Sequence, residues 1–400
     1  MDDAKTTIER IPLREHGPGQ GLLLSTLALL AIGVVMVHSA VASVAEPGAW
    51  YARVDFRHTL FAAVAALVLL STWRLGYRWL NAGAALPIPA AVLLGLALLT
   101  GVLAFVPGVG HSVGGRWRWI RLGPVGYSIG FQPSELIRVS LVIFLAAWLS
   151  RPGRDLRSFT RTFLPAAALM LIAIGLVVTQ DFGSAMLIGL AAMGVMFLAG
   201  VPLRFLALLV AGGAAGFYKF VILDAHRWGR IEALLNPWDT ANPASYQPRN
   251  SLLAIANGGW FGRGLGNGVR KLGYLPEDTT DFIFSVFVEE WGFVGAVLLG
   301  GLVLTWIYCA RRASRSAPEP FGGLLIASLA WLIALQAVMH IAVDVVALPP
   351  TGMSFPFVSA GGTALVVMSA ATALMVSASC YRPAGARSAA GDLPARPAPA

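Results

Sequence analysis

The chain has 400 residues, 57% of them hydrophobic and only 12% charged, with a net charge of +9. So much apolar side chain exceeds the needs of a soluble core, and several runs surpass the ~20 residues that cross a bilayer as a helix. The ~10-residue alternating segments of a membrane β-barrel do not occur, and two cysteines, Cys309 and Cys380, supply neither a disulfide framework nor a zinc site.

The first residues, 1–20, are polar and include acids, unlike a cleaved signal peptide, and are predicted to form a cytoplasmic N-terminal segment. Ten apolar spans follow, predicted at 21–43, 57–73, 85–106, 133–150, 163–179, 184–200, 203–222, 283–310, 322–346 and 362–381. The expected fold class is all-α: a polytopic membrane domain, 21–381, of about ten transmembrane helices, with a long extracytoplasmic loop, 223–282, between spans 7 and 8. The Pro/Ala-rich tail, 382–400, is predicted to be disordered and cytoplasmic.

Alternating crossings place the connections 107–132, 223–282 and 347–361 on one side. Lys and Arg concentrate in the opposite connections, as in Arg74, Arg78, Arg151, Arg154, Arg157, Arg161, Arg311, Arg312 and Arg315. The positive-inside rule makes that opposite side cytoplasmic, with both termini there. The net charge is therefore a signal of orientation and implies no nucleic-acid partner.

In chain order, the first outward connection carries "GGRWRWIRLGPVGYSIGFQPSELIR", with Arg116, Arg118 and Arg121 between Trp117 and Trp119. The arginines suit either interfacial anchoring or an anion site, since the guanidinium fork matches phosphate. The fourth span opens with Glu135 and Arg138, spaced i,i+3 so that they can neutralise each other. Asp181, in "TQDFGSAML", heads the sixth span, where it can cap the helix or line a polar cavity.

The loop 223–282 is long enough, if structureless, to be functional. Its "NGGWFGRGLGNG" run allows tight turns or close backbone approach, and lacks the Gly-Lys-Ser/Thr ending of a phosphate-binding P-loop. The loop closes on "LPEDTTDFIFSVFVEEWGF", which gathers Glu277, Asp278, Asp281, Glu289 and Glu290 where burying carboxylates is most costly. Asp281, at the mouth of the eighth span, is the expected functional acid. Glu289 and Glu290 suit either interhelical pairing or a cavity. The Pro/Gly-broken "LPPTGMSFPFVSAGGTAL" is tolerated at membrane depth only inside protein or beside a wet cavity. Together these residues suggest an outward cavity with an acid at its lip and arginines around it, suited to a phosphate-bearing lipid.

The blocks "RWIRLG…FQPSEL", "QDFGSA", "NPW…YQ…SLLAI..GG..GRGLGN", "LPE..TDFIF…EEWG" and "TG…P..S.GG" resemble the SEDS family, which includes FtsW and RodA, from about Gly21 to Cys380. "RKLGYLPE" is slightly more similar to the cell-division branch. The resemblance implies a peptidoglycan glycosyltransferase that polymerises lipid II outside the cytoplasmic membrane. The implied partners are a class B penicillin-binding protein and other division or elongation proteins. It makes Asp281 catalytic and implies a substrate-binding set of Arg118, Glu135, Arg138, Asp181, Gln247, Lys271, Glu277, Ser359 and Gly361. Asp281 would be the general base, with Arg118 and Lys271 steadying the pyrophosphate, directly or with a divalent cation such as magnesium or manganese. No other cofactor is implied. Thr279, Asn250, His340, Ala360 and Arg138 depart from the family's usual residues. A lipid II flippase, a non-catalytic division scaffold, and a polymerase of another prenyl-linked glycan are the rival readings.

Overall fold

The computed structural model describes residues 8–42, 50, 53–83, 86–113, 115–123 and 129–383. Most of the predicted tail, and the first seven residues, lie outside them. The helices in chain order are α1 (Gly17–Val41), α2 (Val54–Thr72), α3 (Ile88–Leu103), α4 (Pro133–Leu149), α5 (Leu164–Val177), α6 (Phe182–Ala199) and α7 (Leu203–Phe217). Then come α8 (Ala225–Leu235), α9 (Tyr246–Gly258), α10 (Ile283–Ser316), α11 (Pro320–Asp344) and α12 (Thr363–Ser379). π-helical turns precede α5 (Phe159–Phe163) and extend α7 (Tyr218–Ile222). The chain is a multi-pass helical membrane protein. Among the described residues seven helices are long and apolar enough to cross a bilayer, while α3 and α12 are apolar but shorter.

Helix α4 occupies the centre. Pro133 starts it at a position where the missing amide costs nothing, and its side chains are buried almost all round, as expected of a helix enclosed by other helices. It packs against α3, α6 and α11, while α7 lies at the periphery with mostly exposed side chains.

Hydrogen bonds and close contacts sort the connections into two ends. At one end, β1 (Ile8–Arg10) pairs antiparallel with β5 (Tyr381–Pro383), and Arg10 donates to the carbonyls of Trp73 and Arg74, each at 2.6 Å. Arg78 pairs with Glu319 at 2.8 Å, and Arg151 reaches the carbonyls of Asn81 and Gly83. At the other end, β2 (Gly110–Val113), β3 (Arg116–Leu122) and β4 (Ile129–Phe131) form an antiparallel sheet. The Trp117 amide joins this sheet to Gln180, and Arg230 joins α8 to the carbonyl of Pro350.

The loop 223–282 is not structureless as expected, because it contains α8 and α9. Asp224 caps α8 through the amides of His226 and Arg227, and "HRWGRIEALL" is amphipathic at helical spacing. Helix α10 is longer than predicted, at 34 residues, and breaks at Gly292 (φ 68°, ψ −169°). The glycine-rich run supplies the backbone bonds lost there. Arg263 and Gly264 donate to the carbonyls of Glu289 and Glu290, while Phe293 and Val294 donate to those of Gly259 and Trp260. The close approach that these glycines allow is therefore to a helix. A side chain on Gly258 would collide with the Val288 carbonyl.

Candidate active site

A cavity of about 580 Å³ opens at the hairpin end. It is bounded by β3, the starts of α6 and α9, the turn after α7, α8, and residues 348–352. Its lining combines apolar side chains, Phe182, Met186, Phe217, Val221 and Leu234 among them, with the charged Arg116, Arg118, Arg227, Arg230 and Asp281.

Asp281 ends a turn in which the amides of Thr280, Asp281 and Phe282 all point to the Glu277 carbonyl, at 3.2, 3.0 and 3.2 Å. Glu277 takes a left-handed conformation (φ 60°) to present that carbonyl. The segment before α12 holds the turn from behind. Ser359 Oγ donates to the Thr280 carbonyl at 2.6 Å, and the Ala360 amide to the Thr279 carbonyl at 2.9 Å. Burial, and next the negative charge of Glu277, lift the Asp281 carboxyl to about 7. Arg118 opposes the rise, Asp181 adds to it, and Arg230 opposes it.

Arg118 owes its position to a β-bulge. Consecutive residues His111 and Ser112 of β2 pair with Trp119 and Trp117, which leaves Arg118 as the extra residue on β3. A bulge re-aims its side chain. Here that side chain enters the cavity, and its buried Nε has no hydrogen-bond partner. A Cβ added to Gly352 would lie 3.7 Å from Asp281 Oδ2 and 4.0 Å from Arg118 Nη1, so a carboxylate and a guanidinium flank one point on the cavity wall. Gly352 has φ +70°, and its missing side chain keeps that point open.

Asp181 does both things its sequence position allowed. It caps α6 through the Ser184 amide at 3.0 Å, and it lines the cavity. Its Oδ2 also accepts from Ser184 Oγ and Gln132 Nε2. Gln247, at the start of α9, lines the same cavity. Arg118, Asp181, Gln247 and Asp281 are thus brought together.

The other expected residues lie elsewhere. Glu135 and Arg138 are buried in the first turns of α4, outside the cavity lining, and no direct ion pair joins them; Glu135 accepts instead from Thr363 Oγ1 at 3.3 Å. Glu277 and Ser359 shape the Asp281 turn without lining the cavity. Lys271 is 1% exposed, bonds Glu290 Oε1 at 2.7 Å and the Ser39 carbonyl at 2.7 Å, and does not line the cavity. Its expected pyrophosphate role draws no support from this geometry, in which a helix-to-loop ion pair holds the charge. Glu290 also accepts from Ser39 Oγ, and Glu289 accepts from the Arg270 amide and Asn257 Nδ2. These two carboxylates are therefore interhelical and loop-binding groups. Gly361 lines a different cavity of about 350 Å³.

Arg227, Arg230 and Gly352 were not among the expected site residues. The helical spacing of His226, Arg227 and Arg230 in α8 was the available signal. Among the described residues no three His, Cys, Asp or Glu side chains converge as metal ligands. A divalent cation in this cavity would find at most the carboxylates of Asp281 and Asp181 and otherwise depend on substrate oxygens, the usual manner for magnesium.

The sequence pattern of the FtsW/RodA/SpoVE family, described as cell cycle protein, matches residues 20–383. A probable peptidoglycan glycosyltransferase FtsW of Alkalilimnicola ehrlichii is 38% identical over 89% of this chain and 87% of its own length. Its counterpart in Saccharophagus degradans is 33% identical over 90% and 94%. Among solved structures, a chain of a peptidoglycan synthase complex that coordinates polymerization and crosslinking superposes with a TM-score of 0.72. That chain is 26% identical, covering 90% of this chain and 97% of its own. The rod shape determining protein RodA of Thermus thermophilus gives 0.63 at 27% identity, covering 90% and 95%.

Proposed function

The chain belongs to the FtsW/RodA/SpoVE family of cell cycle proteins, and on that premise we propose that it polymerises lipid II into glycan strands, with Asp281 as general base. It is a peptidoglycan glycosyltransferase, like the relatives named above. The observation that carries the assignment of roles is the placement of Asp281 and Arg118 on either side of Gly352, in a cavity lined by apolar and basic side chains.

In this reading the carboxylate of Asp281 accepts the proton of the acceptor sugar's 4-hydroxyl as that oxygen attacks the anomeric carbon of the donor. The bond to the prenyl diphosphate breaks, and displacement from the opposite face inverts an α-linked donor to a β-linked product. Arg118, with its unpaired Nε, and the neighbouring Arg116, Arg227 and Arg230 would stabilise charge on the leaving diphosphate. The carboxyl's elevated pKa suits the role, because a base works best when its pKa lies near the working pH. Ser359 and Glu277 act as positioning residues through the turn that carries Asp281. The excess of Arg and Lys at the end opposite the cavity supports an active face outside the cytoplasmic membrane and termini inside. A class B penicillin-binding protein would cross-link the strands.

The test is polymerisation of lipid II by the purified chain in detergent, with and without a cognate transpeptidase and with divalent cations chelated. Glycan strands from wild type and none from Asp281→Asn, at equal expression and folding, are expected. Undiminished strands from Asp281→Asn would remove Asp281 from the chemistry. Lipid transfer across vesicles without polymer would favour a transporter.

A further inference from the structure

Gln336, His340 and Asp344 follow one another at intervals of four along α11, so they share one face of that helix on successive turns. All three are buried, and none lines the Asp281 cavity. Buried polar groups at the end of a membrane helix are costly unless partners match them. The partners here belong to the two segments that build the Asp281 site.

Gln336 Nε2 donates to the Ser354 carbonyl at 2.8 Å, and His340 Nδ1 to the Met353 carbonyl at 2.7 Å. A carbonyl only accepts, so the imidazole carries a hydrogen on Nδ1. These bonds hold the residues that directly follow Gly352. One turn further along α11, Asp344 Oδ2 accepts from the Ser285 amide at 2.8 Å and from Ser285 Oγ at 3.0 Å. Ser285 is the third residue of α10, four residues after Asp281. An N-cap side chain ordinarily satisfies the amide at this position, but the N-cap here is Phe282, which has no group to do so. Asp344 therefore caps α10 from another helix. Ser251 of α9 closes the arrangement: its Oγ donates to the Asp344 carbonyl at 2.6 Å and lies 2.6 Å from Ser285 Oγ. The two anchors touch, with His340 Nε2 3.8 Å from Asp344 Oδ2.

We propose that His340 and Asp344 are positioning residues for polymerisation. By tethering the segment behind each, α11 sets the separation between the Asp281 carboxylate and the cavity wall at Gly352. The inference rests on the reading of Asp281 as general base and deepens it. Neither side chain reaches the substrate; each acts through a neighbour that does. Without the cap from Asp344 the first turn of α10 loosens, and the carboxylate leaves the point it shares with Arg118. A misplacement of about 1 Å can cost ~10²-fold in rate.

The test is the initial rate of strand synthesis against lipid II concentration, by the full chain in detergent, expressed per mole of folded protein. Asp344→Leu should lower kcat about 10-fold or more at unchanged KM, as loss of a hydrogen bond to a charged group implies. Asp344→Asn should recover most of that loss, because its amide oxygen still accepts from the Ser285 amide. His340→Leu should lower kcat in the same way, and His340→Asn, whose amide nitrogen takes the place of Nδ1, should recover it. Should Asp344→Leu not fold, Ser285→Ala removes only a hydroxyl and is expected to lower kcat about 3-fold, the worth of a neutral hydrogen bond. A wild-type kcat in folded Asp344→Leu or in Ser285→Ala overturns the proposal. So does Asp344→Asn as impaired as Asp344→Leu, or a loss that appears in KM alone. Asp281→Asn in the same assay separates the two readings. Strands from it remove the general base, whereas its inactivity beside wild-type kcat in the Asp344 variants removes only the tether.

Discussion

Asp281 titrates where its neighbours place it, and those neighbours can be removed singly. If the ionised carboxylate is the base, kcat/KM rises with pH through about 7 and levels off above it, because protonation at lower pH removes the acceptor. Glu277→Gln deletes the negative charge that raises this pKa, so the limb should move to lower pH. Arg118→Gln deletes the positive charge that lowers it, so the limb should move to higher pH while turnover falls. Initial rates of strand synthesis across pH 5–9 check both shifts, and limbs that coincide with wild type would disconnect Asp281 from the profile. Replacing Asp281 with Asn should itself cost ~10²–10⁴-fold, the usual worth of a positioned base. The sequence disclosed Asp281 because a carboxylate at the membrane rim is costly without a task. It disclosed Arg118 as a loop arginine but not its aim, since the bulge that turns it depends on pairing with β2.

At the level of elements, the acidic cluster divides into one catalytic candidate and a structural clasp. Glu290 and Lys271 are fully buried, 2.7 Å apart, and joined to α1 through Ser39. Removing one partner of a buried pair strands the other charge, a loss of about 3–5 kcal/mol. Lys271→Met should therefore lower the melting temperature in detergent sharply, and adding Glu290→Met should recover much of the loss. A substrate-binding lysine would behave differently, with an unchanged melting temperature and a raised KM. The sequence left this pair undecided for a physical reason: Ser39 is over two hundred residues away, and nothing in the local spacing of Glu289 and Glu290 identifies it. The same applies to the glycine-rich run, whose partner is the broken backbone of α10 at Gly292. The helices themselves were legible, because long apolar runs mark membrane spans and Pro or Asp marked several of their starts. Helices α8 and α9 were missed since their polar, Gly- and Pro-containing sequences carry no such run.

For the whole molecule, the decisive constraint is where the ends meet. Pairing of residues 8–10 with 381–383 puts both ends of the membrane domain on one side, so the number of crossings between them is even. Seven helices long enough to cross make an odd number, so the shorter ones must contribute. Contacts between residues 81–83 and Arg151 place the α2–α3 and α4–α5 connections at the same end, so α3 and α4 cross together or not at all. The hairpin between α3 and α4 lies at the opposite end, beside Gln180, so both cross. With α12 returning the chain to β5, we propose ten crossings. Single cysteines at Arg157, between α4 and α5, and at Asp239, between α8 and α9, are then three crossings apart and face opposite sides. In intact spheroplasts of a strain carrying Cys309→Ala and Cys380→Ala, a membrane-impermeant maleimide should label Asp239→Cys at once. Arg157→Cys should react only after permeabilisation. Labelling of both without permeabilisation would break the two-ended arrangement, and with it the placement of the Asp281 cavity on the outer face.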